Sequence, residues 1–569
     1  MAILGSNLQI GRSALATYQS ALAVTGQNIA NVANPDYARQ TGRLTALEGG
    51  WTTAGLAPGA GVQLSQLVRN VDSALEDRLR HALAAREGAS ITQQTLLRTE
   101  ALYNEFSDAD LSTGLADFFA QFSALQVNPS DTAARDLILS TGQNLAAEFQ
   151  RIRDGLIGQV EDLNATVEGT VRHADQITSE IAHLNGLIVQ QEAQSQGTAS
   201  ALRDRRDGLL RDLAGYFDIQ VRETQNGAVN VYVNSDPLVD GTRSRGLQAE
   251  TEIVDGLEVF TVRFKDDNGL VRFKDGELAG MVEARDGAVR GQLDDLDTLA
   301  AGLIEAVNRV HSTGVGQVGY TNISGSNALL NTTTPLNDAA SGAPIEVVNG
   351  ALILHVRNKA TGQETTHQIE IDLDGLNGND TSLAGLANDL DEITGISASV
   401  TTDRRLQITA GAGQEFYFSE DTSGALAALG VGGFFDGTDA GSIRVNPALA
   451  ANPKLIANSA NGAAANGDKA GQIATLVAQA QNALGGRTVE EFHSDMFATV
   501  AVSAGNARVQ FDAAEAVYES LQAQRESVSG VSLDEEAINL TKYQTAFQGA
   551  ARYLSVVDQL TNDVISLVG

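Results

Sequence analysis

Residues 1 to 33 and 532 to 569 each repeat apolar side chains every seven positions, and a long middle of different texture separates them. At the start, Leu8, Leu15, Leu22 and Ile29 form one seam, and Leu4, Gly11, Tyr18, Thr25 and Val32 the second. At the finish, Leu533, Leu540, Phe547, Leu554, Thr561 and Val568 form one seam, and Tyr543, Ala550, Val557 and Val564 the other. Two seams at this spacing keep one stripe of a helix against a partner, which is the pattern of a coiled coil. The same periodicity also fits two amphipathic helices packed on an ordinary core. Gly11 and Thr561 interrupt the stripe, so the pairing is expected to be specific and not very strong.

The segment that follows the first helix reads Asn28-Ile29-Ala30-Asn31-Val32-Ala33-Asn34-Pro35-Asp36-Tyr37-Ala38-Arg39-Gln40. Pro35 lacks an amide hydrogen and excludes Asn34 from the helical region, so the helix ends here and the chain turns. This stretch resembles the signature of bacterial flagellar axial proteins, an Ala-Asn pair before a Thr-Pro-Gly-Tyr-like turn. Asn34 stands for the usual Thr and Asp36 for the usual Gly, and both suit a turn. Arg39-Gln40 resembles the hook-filament junction branch of that family. Four further blocks share the resemblance: Asn128-Pro129-Ser130-Asp131-Thr132-Ala133-Ala134-Arg135, Leu202-Arg203-Asp204-Arg205-Arg206-Asp207, Asp275 to Gly280 with Glu283 to Asp286, and Ser529 to Glu536. The match covers residues 1 to 320 and 445 to 569, and residues 321 to 444 match only loosely.

The resemblance implies a structural subunit that joins hook to filament in the bacterial flagellum. It implies as partners the hook protein, a second hook-filament junction protein, further copies of the chain in a ring or tube, and a cytoplasmic export chaperone at the C-terminal helix. It also implies type III export without a cleaved signal and an extracellular destination. The alternatives are a hook, rod or filament subunit of the same axial family, and an adhesin or enzyme module carried in residues 321 to 444.

Composition narrows the classes. A chain of 569 residues is too long for one core and should divide into about three or four domains. Its 71 acidic against 38 basic side chains, net charge -33, disfavour nucleic acid and anionic membrane as partners, both of which attract basic patches. The absence of cysteine excludes disulfides and thiolate metal sites. Residues 1 to 30 lack the basic start and continuous apolar run of a secretory signal, and no apolar stretch approaches the roughly 20 residues of a membrane helix.

Along the chain, Gly49, Gly50, Gly55, Pro58, Gly59 and Gly61 are expected to interrupt regular structure over residues 41 to 61. A helical pattern is expected from Val62 to Ala214, with returns at Leu75, Leu79, Leu83 and at Leu145, Phe149, Ile152, Leu156. Between Gly215 and Asp275 the period becomes two, and Asn226-Gly227 reads as a hairpin turn between Val221 and Val229. Gln292 to Thr313 is helical again. Strand-like runs follow at Ile345 to Val348, Ala351 to Val356, His367 to Leu373, Ile396 to Val400, Leu406 to Ile408 and Phe416 to Phe418, with a helix over Leu383 to Ile393 among them. The expected fold is α+β and multidomain. Terminal coiled-coil helices take residues 1–60 plus 525–569, and a long-helix bundle takes 61–214, 285–320 and 460–524. A small hairpin-rich sheet nests in the bundle at 215–284, and a strand-rich outer domain is inserted at 321–459.

Chemical motifs fail on context. Gly314-Val315-Gly316-Gln317-Val318-Gly319 has dinucleotide-loop spacing but follows a helix where that loop needs a strand. Asp372, Asp374, Asn377, Asn379 and Asp380 are dense in oxygen ligands, yet Leu376 fills the slot of a third calcium ligand, so an ordinary polar loop is expected. The seven histidines are not spaced as ligands; His173 and His183 come nearest, ten apart. No catalytic residue, cofactor or metal is therefore expected. Ser532 and Glu535 have the spacing of a capping box that starts the last helix, with Gly530 as a joint before it. The candidate assembly residues are Leu8, Leu15, Leu22, Ile29, Asn31, Pro35 and Tyr37 at one end, and Leu533, Leu540, Phe547, Leu554, Val557 and Val564 at the other.

Overall fold

The computed structural model describes residues 2–48, 59–103, 110–193, 198–254, 256–463 and 465–568. Gly49, Gly50, Gly55 and Pro58 lie outside the described residues, as do the side chains of Leu4 and Val568. In chain order come helix α1 (Ala2–Ala30), strands β1 (Gln40–Leu47) and β2 (Gly61–Arg69), and helices α2 (Ser73–Tyr103), α3 (Leu111–Val127), α4 (Thr132–Glu192) and α5 (Ser200–Tyr216). Then follow β3 (Ile219–Glu223), β4 (Val229–Val233), β5 (Asp236–Asp240), β6 (Arg243–Ser244), β7 (Leu247–Val254), β8 (Leu257–Phe264), α6 (Glu277–Glu283) and α7 (Arg290–His311). Next are β9 (Asn322–Ser324), β10 (Gly350–Asn358), β11 (Glu364–Ile371), α8 (Leu383–Asp391), β12 (Ile396–Val400), β13 (Leu406–Ala410) and β14 (Gln414–Asp421). The chain closes through α9 (Ala425–Ala428), β15 (Phe435–Asp436), β16 (Arg444–Val445), α10 (Pro447–Ala451), α11 (Asp468–Thr475), α12 (Val489–Ser529) and α13 (Leu533–Val568). The fold is α+β and multidomain.

Contacts divide the chain into two compact units. The first comprises residues 1–94, 162–284 and 506–569, the second residues 95–161 and 285–505. The first unit holds both chain ends. Its core is made by the second half of α4, which presents Val167, Val171, Ala174, Ile177 and Ile181 at three- and four-residue spacing. Leu210 and Leu213 of α5 and the inward side chains Val229, Val231, Val233, Val262 and Phe264 of the sheet close over that stripe. The antiparallel order β3-β4-β5-β6 and the β7-β8 hairpin are thus backed by helix. Gly276 starts α6 at φ 107, and a Cβ there would lie 2.4 Å from the Phe217 Cα, so a close backbone crossing demands glycine.

The second unit has two apolar clusters. In one, Phe118 of α3 lies tilted against Phe434 and Phe122 meets it edge-on, at ring distances of 5.3 and 5.7 Å. The other lies between Tyr320 and Val431, where the sheets β11-β10-β14 and β12-β13-β9 enclose Leu352, Leu354, Phe416, Phe418, Leu386 and Leu390. Asp131 accepts the amide hydrogens of Ala133 and Ala134 and so starts α4.

Four sequence expectations need correction. Residues 61 to 69 are strand and not helix: the run pairs antiparallel with β1, Val62 against Ala46 and Leu64 against Leu44, and so gives 40–47 a regular structure as well. The Asn226-Gly227 pair does turn a hairpin, β3 against β4, but not as the two-residue primed turn its sequence suggests: Glu223 pairs with Val229, and of the two residues Gly227 alone, at φ 86, adopts positive φ. Ile345 to Val348 forms no strand; its amides are spent on a loop, where the Val348 N–H donates to the Ser423 carbonyl. The capping box at Ser532 is half made. Its Oγ accepts the Glu535 amide at 3.4 Å, while the Glu535 carboxylate goes to Arg39.

The glycines with dinucleotide-loop spacing acquire a packing reason. A Cβ at Gly316 would lie 2.1 Å from the Lys454 carbonyl oxygen, and one at Gly319 would lie 2.9 Å from that of Phe416. Two backbones pass too close there for any side chain. The carboxylates of Asp372, Asp374 and Asp380 lie within 4.8 Å of one another and accept hydrogen bonds from their own loop, including the Gly375 and Leu376 amides. His173 sets its ring edge against Tyr216 at 5.8 Å. Among the described residues no helix is long and apolar enough to cross a membrane.

Candidate functional site at the chain ends

The two chain ends pack on each other within one chain. α1 and α13 form an extensive helix pair, and α1 also lies on the β1-β2 hairpin. The helices come close at Gly11, where a Cβ would lie 2.7 Å from the Leu554 Cδ1 and 3.4 Å from the Tyr553 Cδ1. The helices run antiparallel: Gly11 meets Leu554, and the chain beyond α1 meets the start of α13 through Arg39. Gly11 therefore does not weaken the stripe; it is the hole that a leucine fills.

Burial along α1 is greatest for small and polar residues. Gly11, Thr17, Ala21, Thr25 and Asn28 are buried, and Leu8, Leu15, Leu22 and Ile29 flank them half-buried. The Thr17 hydroxyl donates to the Val62 carbonyl at 2.9 Å, which fixes α1 on β2. On α13, Val557 is buried and Leu540, Phe547 and Leu554 are half-buried. Leu533 at 53 % and Val564 at 39 % face outward, together with Ile538 at 69 %, Val556 at 53 % and Leu560 at 53 %. Ile538 and Val556 are eighteen residues apart, five full helical turns, and so share one face. One side of α13 is covered by its own chain, and another remains apolar and bare.

The turn after α1 is held by residues that periodicity does not reveal. Asn28, 1 % exposed, donates from Nδ2 to the Gln40 carbonyl at 2.9 Å. Its Oδ1 accepts the Tyr37 hydroxyl at 2.7 Å and the Gln40 amide at 3.0 Å. Each satisfied bond is worth about 1 kcal/mol, and leaving a buried partner unpaired costs about 1 to 3 kcal/mol. Burial first, then the charges of Asp204 and Glu536, push the Tyr37 phenol up to about 12, so it remains a donor over the physiological range. Asn31, by contrast, donates back to the Gln27 carbonyl of its own helix at 2.9 Å. Pro35 is exposed, and its carbonyl accepts Arg525 Nη1 at 3.1 Å.

Ion pairs complete the hub. Arg39 reaches Glu535 at 2.6 Å and Glu536 at 2.8 Å, and its amide donates to the Ser529 carbonyl at 3.0 Å. Glu536 is 2 % exposed, so this pair is shielded from solvent and anchors the start of α13 to the turn. Arg525 pairs with Glu76 of α2 at 2.8 Å, and Arg211 of α5 pairs with Asp36 at 2.5 Å. Arg69 joins Asp204 and Asp207, each at 2.6 Å, which gives the Leu202 to Asp207 block its structural role. A Cβ at Gly530 would lie 2.3 Å from the Glu526 carbonyl oxygen, so the link between α12 and α13 is a tight bend.

Comparison with known proteins bears on this arrangement. Residues 96–325 match the family model described as flagellar hook-associated protein FlgK helical domain. Residues 522–567 match the model of the flagellar basal body rod FlgEFG protein C-terminal region. The flagellar hook-associated protein 1 of Escherichia coli (strain K12) is 25 % identical over 594 residues, covering 99 % of this chain and 100 % of that protein. The chain thus resembles the flagellar hook-associated protein FlgK family, in its helical domain and over its full length. The hook-associated protein 1 of Bacillus subtilis (strain 168) is also 25 % identical, covering 99 % of this chain and 98 % of that protein. In fold, the chain is similar to the flagellar hook junction protein FlgK from Burkholderia pseudomallei, with a TM-score of 0.51 at 15 % identity, over 80 % of this chain and 100 % of that one. The chain is a structural component of the flagellum.

Proposed function

We propose that this chain joins the hook of the bacterial flagellum to its filament and assembles through its paired terminal helices. The observation that carries the reading is the bare apolar face of α13 beside the face already covered by α1. A helix pair with one side closed and the other open is half of an interface. Repeated around a tube, a contact between unlike surfaces makes rings or filaments and not closed dimers. The hook protein lies on one side in this reading and the second junction protein on the other, with further copies of the chain alongside. A cytoplasmic chaperone covers the α13 face, where Ile538, Val556 and Leu560 are the anchors, until export delivers the chain outside the cell. No catalytic step is required, and the relatives are structural proteins.

The match of residues 522–567 to a rod-protein model favours a shared mode of end-pairing over the whole axial class, while the hook-associated relatives align over the full length and favour the junction. Electron microscopy of cells lacking the chain tests the reading. Hooks of normal length without filaments are expected, with filament protein shed into the medium. Missing hooks would assign the chain to the rod or hook itself.

A further inference from the structure

The second unit closes on a segment that returns from the strand-rich insert to the helices, residues 452–459, and one buried imidazole holds its centre. His311, at the C-terminal end of α7, is fully buried. Its Nδ1 lies 2.7 Å from the Gly432 carbonyl oxygen, and its Nε2 lies 3.1 Å from the Ala457 amide nitrogen. A backbone amide can only donate, so Nε2 is the acceptor and the single ring proton sits on Nδ1. Both nitrogens are spent in the neutral form. On either side of Ala457 the segment is gripped by Arg135 of α4, whose Nη1 donates to the Ile456 carbonyl at 2.5 Å and whose Nη2 donates to the Asn458 Oδ1 at 2.6 Å. Val315 and Ser459 exchange backbone hydrogen bonds just beyond.

We propose that His311 is an acid latch, in which a second proton on Nε2 breaks the Ala457 contact, releases residues 456–459 and loosens the second unit. The proton would point at an amide donor. It would also add a positive charge beside the Arg135 guanidinium. Arg135 from α4 acts on the ring directly. Lys469 of α11 donates to Thr313 at 2.9 Å, Lys454 lies in the return segment with its carbonyl on the Gln317 amide, and on α7 itself Arg309 is paired with Glu305. Phe434 covers the ring edge-on at 5.7 Å and keeps water out. Burial, with the Arg135 charge adding to it and the Gly432 carbonyl opposing, lowers the imidazole from its ordinary 6.5 to about 4. The folded value lies below the unfolded one, so the unfolded chain takes the proton first as pH falls. Stability held by neutral His311 is present above the ordinary histidine range, is lost between pH 6.5 and 4, and is gone below. The span corresponds to a change on the order of a hundredfold in the opening equilibrium of the second unit.

The test uses the full chain with carbon-13-labelled histidine. His311, assigned by its loss in H311Q, should stay neutral down to about pH 4 while the second unit is folded. Urea unfolding of the second unit should weaken on the order of a hundredfold from pH 6.5 to 4 in the wild type and much less in H311Q. Titration of His311 near pH 6.5 in the folded chain would overturn the proposal. So would an H311Q chain that weakens over this range as the wild type does. If H311Q does not fold, the titration of the wild-type ring against that of H493Q, which assigns the other buried histidine, still decides.

Discussion

Gly11→Val separates the two chain ends. In a helix, valine is confined almost to one rotamer and cannot turn its methyl groups away. At Gly11 its Cβ alone would lie 2.7 Å from the Leu554 Cδ1. Forcing extra methyl groups into a filled contact costs about 1 to 3 kcal/mol, enough to open a helix pair that leaves half of its apolar surface bare. Hydrogen exchange across residues 533–557 should rise at least tenfold, and capture of the chain by isolated hooks should fall to background. Gly11→Ala is the control. Its methyl group crowds the flexible end of Leu554 and otherwise touches the Tyr553 ring at an ordinary 3.4 Å, and the gain of about 1 kcal/mol in helix propensity offsets the shift. If valine and alanine behave alike, α1 and α13 do not meet at this point.

Phe434→Ala should be the most destabilising single substitution in the second unit. The ring is fully buried and touches Phe118 at 5.3 Å, Phe122 at 5.7 Å, Phe435 at 4.8 Å and His311 at 5.7 Å. Truncation leaves a cavity among rigid aromatic neighbours that cannot collapse into it, at a cost of about 3 to 5 kcal/mol. Denaturant unfolding followed by hydrogen exchange in α3 and α7 measures it, with the first unit as an internal standard. A loss under about 1 kcal/mol would mean that Phe434 does not join α3 to α7. The same contacts fix the edge of the insert: a deletion that runs past Val431 to residue 440 removes Phe434 and Phe435, which belong to the helical cluster.

Much of the helical framework was legible because its signals are local. α4 has a capping Asp131, no internal proline and an apolar return every three or four residues, and α7 repeats leucine at Leu293, Leu296, Leu299 and Leu303. The β1-β2 hairpin was not legible, because the glycine-rich stretch hid the partner that makes residues 61 to 69 a strand. At the chain ends, heptad spacing marked the leucines together with Gly11 and Thr25, but not the buried Thr17 and Asn28. Small and polar residues in a helix carry no periodic signal when their value lies in letting another backbone approach. The Arg39 to Glu536 pair joins residues 497 apart, and nothing in one sequence announces it. A positional hint did exist for Asn28: it lies on neither seam but one turn after Thr25, in the last turn of a helix that a proline turn follows, where a buried amide can hold the returning chain.

Of the assembly residues read from the sequence, Leu554 and Val557 lie on the side that α1 covers, and Ile538, Val556 and Leu560 were not among them. This division makes the central claim measurable. The decisive quantity is the capture of purified chain by isolated hooks, compared between the wild type and a double variant, Ile538→Asp with Leu560→Asp, that has the same thermal melting. The outward face of α13 is the assembly surface if the double variant folds normally and binds at least a hundredfold more weakly, since two apolar anchors of about 1.5 to 3 kcal/mol each are lost. Undiminished capture by a folded double variant would contradict assembly through this face.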